Sequence, residues 1–303
     1  MTLWQSYHLA HSISDALQAL ADAQGAACLI AGGTDLLLDL QQGRHSPIHT
    51  LVDVNGIPEL SVLELRPAGL FVGAAVSLNR IVTSRLAIEH AQALVEACAL
   101  IGGPQVRNTA TLGGNVAHAL PAADGTVALL ALDAQAELAY RGGCRTVPLT
   151  DLFLGPGRSA LDPGAELLVG FTLPVKQPEQ ASAFRRVMRP QGVALPILNL
   201  AVWVQVDGSP TGDGRITDVR IAIGPAGPVP LRVRSAEAVL RGQPLSEAGI
   251  GHASQALLAE ARFRTSPLRA SAEYRRYLSV DLLHETLGLA CRRAIANRGA
   301  RYG

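Results

Sequence analysis

Apolar positions along this chain recur in short runs separated by glycine- and proline-rich turns. Ala16, Leu17 and Leu20 share one face of a segment at residues 15–23, which predicts a helix capped by Ser14. The apolar run 26–30 meets Ala31-Gly32-Gly33-Thr34-Asp35, and a second apolar stretch, 36–40, follows. That order reads as strand, tight glycine turn, helix. Residues 50–54 look like a buried strand closed by Asn55-Gly56, so the start of the chain reads as a small βαβ-like unit.

Beyond Leu60 the texture changes. Residues 61–65 and 70–73 are strand-like, residues 88–100 form a helix with an Ala-rich face, and 101–115 read as turns rich in Gly, Asn and Thr. Apolar periodicity resumes at 126–132 and 136–140, and 166–173 reads as a strand ending at Pro174. The polar segment 176–180, with Pro178, is the best internal boundary. After it come two strand candidates, 198–206 and 216–223, joined by a loop at 207–214. Two helices close the chain, 251–262 and 270–297, with Tyr274, Tyr277, Leu278, Leu282, Leu289 and Ile295 broadly along one side of the second. Mixed α and β elements followed by antiparallel-type strands and closing helices give an α+β fold class.

Composition narrows the functional classes. In 303 residues, 48% hydrophobic and 17% charged, there is enough apolar material for a sizeable core, built mainly from aliphatic residues because aromatics are only 4%. A net charge of +1 argues against nucleic-acid binding. Arg275, Arg276, Arg292 and Arg293 then read as a solvated helix face or a contact with partner subunits. No apolar run approaches the roughly 20 residues of a membrane-spanning helix, and no export leader is visible, so a cytoplasmic protein is expected. Cys28, Cys98, Cys144 and Cys291 are too scattered for a cluster or zinc site; they read as reduced thiols packed as small hydrophobes, and no metal is expected. His8, His11, His45 and His49 show no ligand spacing and read as surface residues.

Two glycine loops remain as candidate chemistry. In the first, Gly32 and Gly33 permit positive φ and close approach of a ligand to backbone N–H groups. Those N–H groups, the Thr34 hydroxyl and the start of the next helix form a pocket for an anion such as a pyrophosphate. The bland alternative is a tight turn with Thr34 or Asp35 as N-cap. The second loop, Thr111-Leu112-Gly113-Gly114-Asn115, repeats the recipe of hydroxyl, two glycines and a polar side chain. Asp124, just beyond Pro121, either accepts hydrogen bonds from sugar hydroxyls or caps the helix near Thr126. Neither loop carries the G-x-G-x-x-G or G-K-[ST] pattern, which disfavours a Rossmann or P-loop site.

Taken in order, AGGTDLL, VRNTATLGGN and PAAD resemble the FAD-binding subunit of molybdenum hydroxylases. This family includes the medium subunit of carbon monoxide dehydrogenase and the flavin domain of xanthine dehydrogenase. Residues 164–174, 184–189 and 271–275 extend the resemblance to nearly the whole chain. It implies a two-lobed FAD-binding fold of the PCMH/VAO type, followed by a C-terminal lobe of antiparallel sheet plus helices. The FAD-binding domain would span 1–176, with subdomains of about 1–57 and 58–176, and the C-terminal α+β domain 181–297.

The resemblance also implies roles. Ala31, Gly32, Gly33, Thr34, Asp35 and Leu36 would hold the FAD pyrophosphate, and Thr111, Gly114 and Asn115 would complete the phosphate and ribityl pocket. Asp124 would bind ribityl or ribose hydroxyls, Leu168 would lie against the isoalloxazine, and Arg185 would sit near its polar edge, where many relatives carry Lys. Arg107 and Pro121 belong to the same candidate site, and His118 is either a flavin contact or a structural histidine. No residue is assigned as catalytic acid or base.

Details such as AGGTDLL, LVDVNGI and residues 189–196 look most like the 4-hydroxybenzoyl-CoA reductase β-subunit branch. That branch carries a cysteine-bearing insertion for a [4Fe–4S] cluster after the second loop, whereas Asn115 here runs to Asp124 with neither insertion nor cysteine. The division of labour implied is that of a heterotrimer, forming a dimer of heterotrimers. A large molybdopterin-binding subunit carries the molybdenum cofactor, a small subunit carries two [2Fe–2S] clusters, and this chain's FAD passes electrons to a terminal acceptor. The alternatives are a stand-alone FAD-dependent oxidoreductase with its own substrate site, or a cofactor-free binding protein.

Overall fold

The computed structural model describes residues 3–24, 26–189, 195–207 and 214–299. The first lobe contains β1 (Trp4–Leu9), α1 (Ile13–Asp22), β2 (Ala27–Ile30), α2 (Leu36–Gln41) and β3 (Ile48–Asp53). Its strands pair in parallel in the order β1-β3-β2, the βαβ unit expected from the sequence with one strand added. β1 escapes the hydrophobic pattern because none of its residues is fully buried. α1 buries the expected Ala16, Leu17 and Leu20, but its cap is Ser12, not Ser14. The Ser12 hydroxyl accepts from the Asp15 N–H at 3.1 Å, so the helix begins earlier than its apolar face suggests.

The second lobe runs through β4 (Leu63–Arg66), β5 (Gly69–Gly73), α3 (Leu78–Thr83), α4 (Arg85–His90), α5 (Gln92–Leu100), α6 (Pro104–Thr109), α7 (Leu112–Ala117) and α8 (Asp124–Ala131). It continues with β6 (Gln135–Tyr140), β7 (Gly143–Pro148), the small β8 (Phe153–Gly155) and β9 (Arg158–Ser159), and β10 (Glu166–Leu173). The main sheet has the order β4-β5-β10-β6-β7 and is antiparallel throughout. The strand expected from residue 61 begins as a 3₁₀ turn, Pro58–Ser61. The helix expected at 88–100 is broken at Ala91, whose φ of −137° and ψ of 47° are not helical.

The turn-rich stretch 101–115 is mostly two short helices. Pro104 fits the first turn of α6, where its missing N–H leaves no intrahelical bond unmade. α7 buries Leu112 and Val116 and is capped by Thr111, which makes helical geometry pay despite two glycines. β7 has no buried residue, which is why no apolar alternation marks it, and Cys144 on it is exposed rather than packed.

The third lobe contains β11 (Gln180–Val187), β12 (Leu198–Asp207), β13 (Arg215–Gly224), β14 (Leu231–Arg232), α9 (Arg234–Leu240), α10 (Glu247–Glu260) and α11 (Ala272–Gly299). Its antiparallel sheet, β11-β12-β13-β14, is covered on both faces. Phe184, Ala201, Trp203 and Ala222 pack into the core of the second lobe, against α5 and α8. Ala183, Leu200, Val202, Ile221 and Ile223 face the core shared with α10 and α11. Burial on both sides makes β12 a nearly unbroken apolar run, in which Asn199 is the interruption.

Polar ties reinforce this inter-lobe contact. The Ala93 N–H donates to Ser182 Oγ at 3.0 Å, and the Phe184 N–H donates to Glu96 Oε2 at 2.8 Å. Arg293 donates to Glu96 Oε1 at 2.5 Å and to the Ser182 carbonyl at 2.9 Å. The four C-terminal arginines therefore do not form one solvated face. Arg275 is buried and donates to the Arg264 carbonyl at 3.2 Å, Arg293 ties the lobes, and only Arg276 and Arg292 are exposed. Tyr274 and Tyr277 are exposed too and do not belong to the buried side of α11. Most of the loop expected at 207–214, and most of the block 189–196, lie outside the described residues.

Among the described residues no helix is long and apolar enough to cross a membrane. Nor does any group of three His, Cys, Asp or Glu side chains there stand ready to hold a metal ion.

Candidate functional site

The first glycine loop connects β2 to α2. Gly33 has a φ of +65°, a conformation open to glycine and strained for other residues. The Asn55 side chain supports the loop, Nδ2 donating to the Ala31 carbonyl at 2.9 Å and to Asp53 Oδ1 at 2.8 Å, where the Asn55 backbone N–H also donates at 2.8 Å. Asp35 occupies the N-cap position of α2 but makes no side-chain capping bond. Among the described residues no protein acceptor takes the amide N–H of Gly32, Gly33, Thr34 or Asp35. Four successive unengaged amides, one at a residue of positive φ, are available to an anion. α2 has only six residues, so these amides, more than a helix dipole, supply the attraction. Leu36 is half-buried against the small core beneath β2 and β3.

The second loop differs in a way its sequence does not show: the amides from Leu112 to Asn115 are already engaged. The Leu112 N–H donates to the Val76 carbonyl at 3.1 Å and that of Gly113 to the Ala74 carbonyl at 2.8 Å. The Gly114 N–H donates to Thr111 Oγ1 at 3.1 Å, and Asn115 Oδ1 accepts from the Thr126 N–H at 3.2 Å. This loop is stitched by hydrogen bonds to residues 74–78. A Cβ at Gly113 would lie 2.6 Å from the Ala74 carbonyl oxygen, whereas one at exposed Gly114 would meet only Thr111 Oγ1, at 3.2 Å.

The two loops touch. A Cβ on Gly32 would lie 2.2 Å from the Thr109 carbonyl oxygen and 2.9 Å from Ala110 Cα, so only a hydrogen fits between them. Arg107 is committed to the turn before the second loop, donating to the carbonyls of Ile101 at 3.2 Å and Gly102 at 2.7 Å. His118 is half-buried at the C-terminal end of α7. Pro121 is buried, and its carbonyl oxygen lies 2.2 Å from where a Cβ on Gly224 would stand.

Asp124 does not cap α8, whose N-cap position is Ala123. Its carboxylate instead reaches into the third lobe, taking Arg186 Nη1 on Oδ2 at 2.6 Å and Asn199 Nδ2 on Oδ1 at 2.6 Å. Asn199 Nδ2 also donates to the Ala122 carbonyl at 3.1 Å. The side chains of Asp124 and Arg186 are each only 4% exposed. Burial raises the Asp124 carboxyl above its ordinary range, against the opposing pull of Arg186 and Asn199. Among the described residues, Arg186 Nε and Asn199 Oδ1 beside it are buried without a partner, as is Thr126 Oγ1 further along α8.

Leu168 is buried beside a bulge in β10, in the same core as Ala110 and Leu112. Arg185 is half-exposed, donates to the Phe184 carbonyl at 2.9 Å and lies 3.8 Å from Glu96. The geometry thus unites residues 31–36 with 109–115 and sets Asp124 against the third lobe, while Arg107 is spent on its own turn. Asn55, Arg186 and Asn199 were not expected. The only sequence signal for Asn199 was an amide near the start of an otherwise apolar stretch, 198–204.

These features fit FAD. A run of unengaged amides suits its pyrophosphate, a glycine wall leaves room beside it, and a carboxylate with unpartnered polar neighbours suits sugar hydroxyls.

Comparison with known proteins agrees. Residues 3–176 match the family described as the FAD binding domain in molybdopterin dehydrogenase, and 182–290 match the CO dehydrogenase flavoprotein C-terminal domain. The putative xanthine dehydrogenase FAD-binding subunit of Escherichia coli K12 is 33% identical over 276 residues, covering 90% of this chain and 91% of that protein. Among solved structures, carbon monoxide dehydrogenase from Hydrogenophaga pseudoflava lacking the Mo-pyranopterin moiety has a chain that superposes with a TM-score of 0.89 at 28% identity. That match covers 95% of this chain and 98% of the other. A chain of quinoline 2-oxidoreductase from Pseudomonas putida 86 gives 0.86 at 26% identity, covering 96% and 98%. The protein is therefore a member of the FAD-binding medium-subunit family of xanthine dehydrogenase and carbon monoxide dehydrogenase type molybdenum oxidoreductases.

Proposed function

We propose that this chain is the FAD-binding electron-transfer subunit of a heterotrimeric molybdenum hydroxylase or dehydrogenase, working as a dimer of heterotrimers. A partner small subunit with [2Fe–2S] clusters supplies electrons from a large molybdopterin-binding subunit, and a terminal acceptor removes them. When bound, FAD supplies the redox chemistry that joins one-electron carriers to that acceptor. The protein's own residues bind and orient it.

In this reading residues 1–176 form the FAD-binding unit and 181–297 the C-terminal domain. The amides of Gly32, Gly33, Thr34 and Asp35 take the pyrophosphate, and Ala31 and Leu36 fix the ends of that turn. Thr111, Gly114 and Asn115 form the facing wall, with Pro121 and His118 at its far end. Asp124 accepts from ribityl or ribose hydroxyls, Leu168 borders the isoalloxazine, and Arg185 places positive charge near its polar edge. Arg107 acts indirectly, by fixing the turn before the second loop.

The observation that carries the proposal is the contact between the loops. Four unengaged amides stand beside a glycine wall with no room for a side chain at Gly32. Gly114→Val tests it. The added Cβ meets only Thr111 Oγ1, at 3.2 Å, and Gly114 is exposed, so the branched side chain projects toward the space given to the ligand. Purified Gly114→Val should retain its fold and lose the flavin spectrum; full FAD occupancy would sink the assignment. Gly33→Val should also empty the site, but through backbone strain at its positive φ. Co-purification of the assembly with metal and flavin analysis tests the partners, and a chain isolated alone with FAD and its own substrate turnover would overturn them.

A further inference from the structure

We propose that Arg186 and Asn199 are positioning residues for the flavin site. Through them the C-terminal lobe pairs and orients the Asp124 carboxylate, so that FAD binds tightly only when both lobes are docked. The proposal rests on Asp124 as an acceptor for FAD hydroxyls, the role given to it above.

Three features support it. The first is the origin of the three groups. Asp124 begins α8, just beyond the second glycine loop, whereas Arg186 lies on β11 and Asn199 on β12. The two strands are paired, and Arg186 stands opposite Asn199 in their register. The alternation of β12 sends Asn199 to the same face as Ala201 and Trp203, the face that packs on α5 and α8.

The second feature is the state of the carboxylate. A buried carboxylate requires a paired cation and hydrogen bonds, and Arg186 and Asn199 provide them, one on each oxygen. An ionised oxygen has room for two hydrogen bonds, so each still has a site for a hydroxyl donor.

The third feature is what remains unsatisfied. Among the described residues, Arg186 Nε and Asn199 Oδ1, both on side chains that hold this carboxylate, are buried without a partner. Among the described residues Arg186 Nη2 donates only to the Met188 thioether, a weak acceptor, at 3.0 Å. A salt bridge present only to join two lobes would be expected to satisfy its own polar atoms. Spare donors and acceptors beside a carboxylate suit a polyol. The neighbouring guanidinium, Arg185, turns to the Phe184 carbonyl and Glu96, so it cannot substitute for Arg186.

The test uses the full chain stripped of flavin and titrated with FAD, in parallel with thermal melts. Arg186→Gln should weaken FAD binding at least tenfold, and Arg186→Lys should recover part of the loss. Because Arg186→Gln also leaves Asp124 without its cation, the double variant Asp124→Asn/Arg186→Gln separates loss of stability from loss of binding. Removing both charges should return the melting temperature toward wild type without restoring FAD affinity. If affinity instead recovers with the melting temperature, or if Arg186→Gln binds FAD like the wild type, the proposal is overturned. Gly114→Val run beside them separates the two levels. Loss of FAD there with normal binding in Arg186→Gln defeats only this proposal, whereas normal binding in Gly114→Val defeats the assignment of the loops.

Discussion

Replacing Gly32 by Ala tests the loop contact with the smallest possible change. The added carbon would stand 2.2 Å from the Thr109 carbonyl oxygen and 2.9 Å from Ala110 Cα, both backbone atoms that cannot rotate aside. Comfortable carbon contacts begin near 3.5 Å, so the loops must separate by about 1 Å. Overpacking of this kind costs roughly 1–3 kcal/mol. If the strain falls on the geometry that receives FAD, at about 1.4 kcal/mol per factor of ten, affinity drops between about fivefold and about a hundredfold. FAD titration into the flavin-stripped chain, followed by flavin fluorescence, reads the effect directly. Gly251→Ala is the control: it makes the same chemical change inside α10, meets nothing within 4 Å, and should leave FAD affinity unchanged. Wild-type affinity and melting temperature in Gly32→Ala would refute the claim that the loops meet there.

Other outcomes follow from named contacts. Asn55→Ala removes the amide that holds the Ala31 carbonyl and should weaken FAD binding severalfold in the same titration, with little change in melting temperature because the site is exposed. Glu96→Ala strands the Phe184 N–H and Arg293 together and should cost roughly 1–3 kcal/mol in denaturant unfolding, by loosening the contact between lobes. Asp15 gives a pH prediction. The His11 N–H and the His8 ring lower its pKa in the folded chain, so its contribution is present above the unfolded value and is lost as pH falls through the lower folded one. Melting temperatures taken below pH 4 should therefore fall more steeply for the wild type than for Asp15→Asn; parallel curves would contradict this.

Much of the site was legible because short motifs carry their own geometry. A strand followed by two glycines, Thr and Asp defines the first loop without help from the rest of the chain, and residues 166–173 read correctly as a strand because apolar residues dominate them. The second loop was found as a motif but misread as turns, since its helices depend on Pro104, on the Thr111 cap and on burial of Leu112. Its Leu112 and Gly113 amides are taken by the Val76 and Ala74 carbonyls, a tertiary pairing that no local pattern reports. The partner of Asp124 was invisible for the same reason: Arg186 is 62 residues away, and only the packing of β11 and β12 against α8 brings it near. β1 and β7 were missed because a strand without buried residues leaves no periodic signal.

Hydrogen–deuterium exchange of the full chain, with and without FAD, measures the central claim most directly. The amides of Gly32, Gly33, Thr34 and Asp35 lack protein acceptors among the described residues, whereas those of Leu112, Gly113 and Gly114 are already bonded. FAD should therefore slow exchange strongly in peptides spanning residues 31–36, and add only modest further protection to those spanning 111–118. Unchanged exchange at residues 31–36 in the presence of bound FAD would place the cofactor elsewhere and contradict the account.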